Sequence, residues 1–342
     1  MSDAGFRDLV KRVIGGETLD AEDSARAFSA IMTGEVDQVA IAALLTALAV
    51  RKPTVEEIVG AARAMREVME VVEAPSNAID LCGTGGDEQG TLNISTACAF
   101  VVAGAGVPVA KHGNRNMSSK SGAADVLEAL GANIDVDATC ASACLKETGV
   151  CFLFAQRYHP ATKHAAPVRR ALGFRTIFNL LGPLTNPARV KRQLVGVFGS
   201  EWVEPLARAM KLLGSEYAWV VHGAEGLDEL SIAGNTNVAV LQDGSVRGYI
   251  ATPEDAGLRR TSLRALKGGT ADENAQALKR LFDGEQSAYR DIVLLNSAAA
   301  FVVAGKASGL KGGAELAAQS IDSGKARKTL DRFIAATREV SP

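Results

Sequence analysis

The sequence has few aromatic residues. Two tryptophans, four tyrosines and 11 phenylalanines make up 5% of its 342 residues, too sparse a set for a base-stacking surface. Charge of one sign is also missing. Thirty-seven Lys and Arg against 39 Asp and Glu leave a net charge of −2, so no overall basic field exists to hold nucleic acid or an anionic membrane. Long hydrophobic runs are absent too: the longest, Val39 to Val50, is about 12 residues, short of a bilayer span. The opening MSDAGFRDLVKRVIGG carries charges through its first dozen residues and has no apolar core of a secretory signal. A soluble, cytoplasmic chain with neither nucleic-acid nor membrane partner is expected. The five cysteines are odd in number and form no CxxC pair. Cys140 and Cys144 share a helix face and Cys151 follows soon after; all are read as small buried hydrophobes of a reducing compartment.

What is present is an ordinary apolar fraction of 47% and 34 glycines whose placement carries the interest. The length suggests about two domains. The first seventy residues read as helix. Phe6, Leu9, Val10, Val13 and Ile14 fall on one helical face, and Gly15-Gly16 ends it. Asp20 caps a second helix through Ala25, Phe28, Ile31 and Met32, ending at Gly34. Asp37 starts a third, apolar nearly all round, which predicts central burial or a subunit contact. Thr54 and Glu57 form a capping box for a fourth, running to about Glu70.

After a turn at Glu73–Asn77, short apolar runs alternate with helical segments: AIDLC, VPVAK, NIDV, CFLFA, QLVGVFG and YAWVVH. That grammar predicts βαβ units and a mostly parallel sheet. Residues 237–250 predict a hairpin turning at Asp243-Gly244, and the last 70 or so residues return to Ala-rich helix. The proline-containing connection Tyr158–Arg192 is long for a compact domain; it is expected to pack on the N-terminal helices and close over a cleft. The expected fold is therefore α/β, with a small N-terminal all-α domain (1–72, joined by part of 158–192) and a larger α/β domain (78–342).

Four segments carry polar chemistry. Asp80-Leu81-Cys82-Gly83-Thr84-Gly85-Gly86-Asp87 runs from a strand into a glycine cluster. It is either a tight turn or a loop whose bare amides cradle phosphate; it is neither a Walker loop nor GxGxxG. Asn93-Ile94-Ser95-Thr96 opens an apolar helix, as ordinary caps or as an anion site at a helix N-terminus. Lys111 to Gly122 packs three cations, three serines, two asparagines and two glycines into twelve residues. In an α/β sheet both the glycine loop and this loop sit at carboxyl ends of strands, where ligands bind. Asp228-Glu229 is a solvated turn or a Mg²⁺ site bridging to substrate phosphates.

The motifs GTGGD, TLNIST, KHGNRNMSSKSGAADVLEALG, HPATKHAAPVRRALGFRTIFNLLGPLTNP and GLDELS occur in the order found in the anthranilate phosphoribosyltransferase family, which the chain resembles over its whole length. The resemblance implies a nucleoside phosphorylase-type architecture and a homodimer through the N-terminal helices. It implies transfer of the phosphoribosyl group of phosphoribosyl pyrophosphate (PRPP) to anthranilate, the second step of tryptophan synthesis from chorismate. Residue by residue, it implies that Gly83, Gly86 and Asp87 hold the diphosphate of PRPP, that Thr91, Asn93, Ile94, Ser95 and Thr96 also bind PRPP, and that Lys111, His112, Gly113, Asn114, Arg115, Asn116, Met117, Ser118 and Ser119 wrap the phosphoribosyl group. Ala123 belongs to the same set but stands where many members have Ser. Gly83, Asn114, Arg169, His112 and His159 face anthranilate. Ser95, Asp228 and Glu229 ligate magnesium, two ions per subunit. Glu88-Gln89-Gly90 replaces the Gly-Ser-Asn of many members, which predicts a less mobile loop.

The chemistry suits these residues. An arylamine is already neutral near pH 7, so no catalytic triad is expected. The difficulty lies in the departing diphosphate, and metal plus preorganised amides address it. A guanidinium at Arg169 matches a planar carboxylate. Two alternatives are a pyrimidine nucleoside phosphorylase-like enzyme and a nucleic-acid-binding relative without transferase activity.

Overall fold

The computed structural model describes residues 1–115 and 121–339. Four helices come first: α1 (Asp3–Ile14), α2 (Ala21–Thr33), α3 (Gln38–Arg51) and α4 (Val55–Val68). The starts of α2, α3 and α4 follow the predicted caps. The Asp20 and Asp37 carboxylates accept from the Asp23 and Ala40 amides at 2.8 and 3.0 Å. Thr54 and Glu57 close the capping box. Gly34 ends α2 at φ 76°, a conformation that glycine adopts without penalty.

Two expectations change here. Ile14 is 65% exposed, while Phe6, Leu9, Val10 and Val13 are buried; the apolar stripe stops one residue early because the helix ends there. The third helix is not centrally buried all round, which narrows its two alternatives to a subunit contact. Ile41, Leu44, Leu45 and Leu48 face inward, whereas Val39 and Val50 are 77% and 82% exposed.

The alternating region builds one seven-stranded sheet in the order β3-β2-β1-β4-β5-β6-β7. In chain order its elements are β1 (Ile79–Gly83), α5 (Ile94–Gly104), β2 (Val109–Gly113), α6 (Ala123–Ala129), α7 (Ala138–Thr148), β3 (Val150–Phe154), α8 (Ala155–Tyr158), α9 (Ala166–Leu172), α10 (Phe178–Leu181), β4 (Arg192–Gly196), α11 (Val203–Leu212), β5 (Tyr217–Gly223), β6 (Thr236–Gln242) and β7 (Ser245–Ala251). Four helices finish the chain: α12 (Ala271–Phe282), α13 (Ala288–Val303), α14 (Leu310–Asp322) and α15 (Lys325–Glu339). The first five strands in the sheet order pair in parallel; β6 and β7 form the antiparallel hairpin, turning at Asp243 and Gly244 with φ 49° and 68°. The segment NIDV forms no strand. Its Ile134 and Val136 are buried as a loop between α6 and α7, so its apolar alternation serves packing rather than pairing.

Strand alternation gives the sheet two apolar faces. Leu81, Leu194, Trp219 and Val221 pack against α5 and the C-terminal helices. Cys82, Val195, Val220 and Ala239 pack against α11 in a cluster continuous with α1 to α4 and with Ala165, Val168, Phe178 and Leu181 of the long connection. That connection thus packs on the N-terminal helices, as expected. Among the described residues no helix is long and apolar enough to cross a membrane.

Candidate active site

The chain order of the sheet reverses at β1: β2 lies on one side and β4 on the other. The crevice beyond the carboxyl ends of strands at such a point is where α/β sheets bind ligands. Here a cleft of about 1260 Å³ opens. It is lined by Gly83–Glu88, Gly90–Thr96, Lys111–Arg115, His159, Arg169, Asp228 and Glu229 among others. All the predicted site residues that are described therefore share one cavity, Ala123 included. Asn116, Met117, Ser118 and Ser119 lie outside the described residues.

The acidic loop 226–231 lies across the ends of β1 and β4. Side chains would block it: a Cβ on Gly83 would stand 2.5 Å from Asp228 Oδ2, and one on Gly196 only 1.5 Å from the Asp228 carbonyl oxygen. With both strands ending in glycine, Asp228 Oδ2 accepts the Gly85 amide at 3.0 Å. The loop is anchored below by Leu227 and Leu230, both fully buried. Asn296 bonds both the amide (2.9 Å) and the carbonyl (3.0 Å) of Leu230.

Burial pushes the Asp228 carboxyl well above the usual range, and the neighbouring Asp87 carboxyl pushes the same way. Burial and then Asp228 likewise raise Glu229, against the opposing pull of Lys111 and of the Ser95 amide, which donates to it. Desolvated like charges are costly unless a cation joins them. The donors are hard oxygens, which fits Mg²⁺. Among the described residues no three His, Cys, Asp or Glu side chains form a ready-made cage. Mg²⁺ keeps waters and completes its shell with substrate phosphates.

On the next strand Lys111, 3% exposed, donates from Nζ to the Leu81 carbonyl at 2.6 Å and to Ser95 Oγ at 3.1 Å. It ties the ends of β1 and β2 to the first turn of α5. Asn93 is fixed from outside: Asn274 Nδ2 donates to its Oδ1 at 2.8 Å and the Tyr289 hydroxyl to its carbonyl at 3.0 Å. Thr91 bridges to Lys267, and Thr96 is buried. Gly113 admits the Phe152 ring, which a Cβ would meet at 2.7 Å.

Two predicted residues are engaged within the protein. Arg115 turns to α6, bonding Asp125 at 3.0 Å and Glu128 at 2.6 Å. Asn114 Oδ1 accepts the Arg115 amide at 2.8 Å and the Gln156 amide group at 3.4 Å.

The facing wall comes from the long connection. Arg169 is largely desolvated, which pulls its pKa down. Its guanidinium lies 5.0 Å from the Phe178 ring centroid, and among the described residues no carboxylate pairs with it. His112 and His159 sit with ring centroids 5.2 Å apart. Both Nε2 atoms are buried without a hydrogen-bond partner. Burial lowers the His112 pKa to about 3 and that of His159 to about 4. His112 Nδ1 lies 3.0 Å from the Gly182 carbonyl; a carbonyl only accepts, so the neutral ring carries its proton on Nδ1 and leaves Nε2 as a bare acceptor.

Sequence reasoning missed the residues that hold this wall. Asp80, fully buried, accepts the His112 amide at 3.0 Å and Asn186 Nδ2 at 2.8 Å. Asn186 also donates to the Ala110 carbonyl at 2.9 Å. Asp80 heads the GTGGD segment and Asn186 lies in the proline-bounded turn, so both stood in segments already singled out. Arg175 and Gly196 were missed too; the turn before the wall carried the signal for the first, and nothing in the sequence marked the second.

The fold and this cleft define a glycosyl transferase. The pattern of the glycosyl transferase family's helical bundle domain matches residues 7–69, and that of its a/b domain matches residues 75–327. The anthranilate phosphoribosyltransferase of Parvibaculum lavamentivorans is 57% identical over 332 residues, covering 97% of each chain. That of Rhodopseudomonas palustris is 55% identical over 330 residues, covering 96% of this chain and 97% of the other. The crystal structure of the Thermus thermophilus enzyme is similar with a TM-score of 0.91 at 45% identity, covering 96% of this chain and 99% of that one. The Saccharomyces cerevisiae enzyme in complex with PRPP and Mg gives 0.91 at 29% identity over 99% of each chain. The chain belongs to the anthranilate phosphoribosyltransferase family.

Proposed function

We propose that this chain transfers the phosphoribosyl group of PRPP to the amine of anthranilate, giving N-(5-phosphoribosyl)anthranilate and pyrophosphate, the second step of tryptophan synthesis from chorismate. The observation that carries this reading is one cleft with two unlike walls. One wall gathers the glycine loop, the α5 N-terminus, Lys111 and the acidic pair; the other presents a largely desolvated arginine with no carboxylate partner among the described residues. The first suits a metal-bound sugar diphosphate and the second a small aromatic carboxylate.

In this reading the amides of Gly83 to Asp87 and the first turn of α5 bind the diphosphate end, and Thr91 and Asn93 to Thr96 line its path. Lys111 to Ser119 wrap the phosphoribosyl group, with Ala123 at the edge. Asp228, Glu229 and Ser95 hold Mg²⁺, which when bound neutralises charge on the leaving diphosphate. Two ions per subunit are part of the same reading, taken from the family resemblance. Arg169 pairs with the anthranilate carboxylate. Gly83, Asn114, His112 and His159 orient the ring so that its amine faces the anomeric carbon. The C1–N bond forms as the C1–O bond to diphosphate breaks, and the one proton that the amine gives up passes to the released pyrophosphate or to water. His112 and His159 are neutral at pH 7 and so do not repel a cationic sugar centre, and His112 accepts a hydrogen bond through Nε2.

The same reading covers the assembly. The enzyme is a cytoplasmic homodimer joined through its N-terminal helices, a reading supported by the exposed Val39 and Val50 of α3. Its domains are 1–72, joined by part of 158–192, and 78–342.

The test follows anthranilate fluorescence after adding PRPP and Mg²⁺. Loss of the signal with matching pyrophosphate release, each requiring both substrates, is the expected result. Phosphorolysis of a pyrimidine nucleoside without any such transfer would overturn it.

A further inference from the structure

The glycine loop is held by a residue that none of the roles above includes. Arg175, on the connection between α9 and α10, reaches across the cleft rim. Its Nη2 donates to the Gly86 carbonyl and to Glu88 Oε1, the latter at 3.0 Å. Its guanidinium lies 4.8 Å from the Phe198 ring centroid. Phe198 is tied to the same loop, because its amide donates to Thr84 Oγ1 at 3.0 Å. Thr84, Phe198, Arg175 and Gly86 thus form a closed circuit around the loop.

The loop needs holding. Gly85, Gly86, Glu88 and Gly90 all have positive φ, and Glu88, at 59°, pays for this with a side chain. Gln89 Nε2 donates to the Glu225 carbonyl at 3.1 Å and Lys267 Nζ to the Gln89 carbonyl at 3.3 Å, which pins the far end. At the near end Asp228 holds the Gly85 amide, and Arg175 takes the next peptide through the Gly86 carbonyl. In a trans peptide the C=O and the following N–H point in opposite directions. Holding the Gly86 carbonyl therefore fixes where the Asp87 amide points.

We propose that Arg175 is a positioning residue that clamps the glycine loop through Gly86 and Glu88 and so presets its amides for a diphosphate. The idea rests on the transferase reading for its ligand. The clamp itself is a property of the free protein. It also links the wall that carries Arg169 to the loop opposite.

The experiment has two arms. In the free enzyme, amide hydrogen exchange over residues 84–90 is compared in wild type, Arg175→Ala, Arg175→Lys and Glu88→Gln. In the second arm, magnesium pyrophosphate binding and the two substrate KM values are measured on the same proteins. Arg175→Ala is expected to speed exchange in the loop and weaken pyrophosphate about tenfold, with the anthranilate KM little changed. Glu88→Gln, an exposed ion-pair partner, should cost only about two- to threefold. Arg175→Lys keeps a cation but loses the planar guanidinium that lies over Phe198 and fixes the direction of its donors, so it should fall between wild type and alanine. Loop exchange at the wild-type rate in Arg175→Ala overturns the clamp, whatever the enzyme's substrate. Faster exchange with unchanged pyrophosphate affinity, or with anthranilate weakened equally, overturns the positioning role.

Discussion

Replacing Gly196 by alanine should disable the acidic loop through the backbone of Asp228, without altering any side chain that lines the cleft. The new Cβ would stand 1.5 Å from the Asp228 carbonyl oxygen and 2.4 Å from its carbonyl carbon. Ordinary contacts begin near 3.4 Å, so loop or strand must part by about 2 Å. The strand cannot give, since β4 is paired on both sides. The loop yields only by disturbing the buried Leu227 and Leu230 and the two Asn296 bonds. Overpacking of this kind costs about 1–3 kcal/mol. The larger effect is on rate. Misplacing a catalytic group by about 1 Å can cost on the order of 100-fold, so a loss of at least that size is expected. The Gly85–Asp228 bond is lost as well, and the Mg²⁺ requirement rises. Turnover is read from anthranilate fluorescence across a Mg²⁺ titration, with thermal unfolding alongside. Gly312→Ala is the control: it sits in α14 with open space around the added methyl, and should leave turnover unchanged. If Gly196→Ala folds, keeps its Mg²⁺ dependence and turns over within about threefold of wild type, the reasoning from strand-end glycine to metal loop is wrong.

Arg169→Ala should raise the anthranilate KM about tenfold to 100-fold, the worth of charged hydrogen bonds to a carboxylate, and move the PRPP KM by less than about threefold; equal losses for both substrates would remove its carboxylate role. His112 and His159 have folded-state pKa values of about 3 and about 4, below the ordinary 6.5. The unfolded chain therefore binds protons first as pH falls, so their contribution to stability is complete above about pH 6.5 and is lost toward pH 4 and then 3. Urea unfolding from pH 7.5 to 4.5 should show a wild-type advantage over His159→Gln that shrinks with falling pH; an advantage growing toward acid would contradict this. Asn186→Ala leaves the buried Asp80 Oδ2 without its amide donor, and a loss of about 3 kcal/mol in chemical denaturation is expected; a change under about 0.5 kcal/mol would show that Asp80 finds another donor.

The fold was legible wherever a local rule acts alone. Caps at Asp20, Asp37 and Thr54, the turn at Asp243-Gly244 and the apolar runs of five of the sheet strands are decided within a few residues, and all appear where the pattern places them. The misreadings at Ile14 and NIDV share a cause. Apolar content says that a side chain can be buried, while the neighbours that bury it come from elsewhere in the chain. The site divides along the same line. Donor-rich segments at strand ends were visible because function there concentrates polar residues in short stretches. The supports were not, because each joins segments far apart in sequence: Asp80 meets Asn186, Arg175 meets Gly86, and Gly196 matters only because Asp228 crosses above it. A strand-final glycine reads as a turn signal until the loop that needs its missing Cβ is in view. The residues that touch substrate can thus be proposed from one sequence, whereas those that hold them in place emerge only from the packing. This division is why Gly196 and Arg175, rather than Asp228 and Gly86, make the sharper tests of the site.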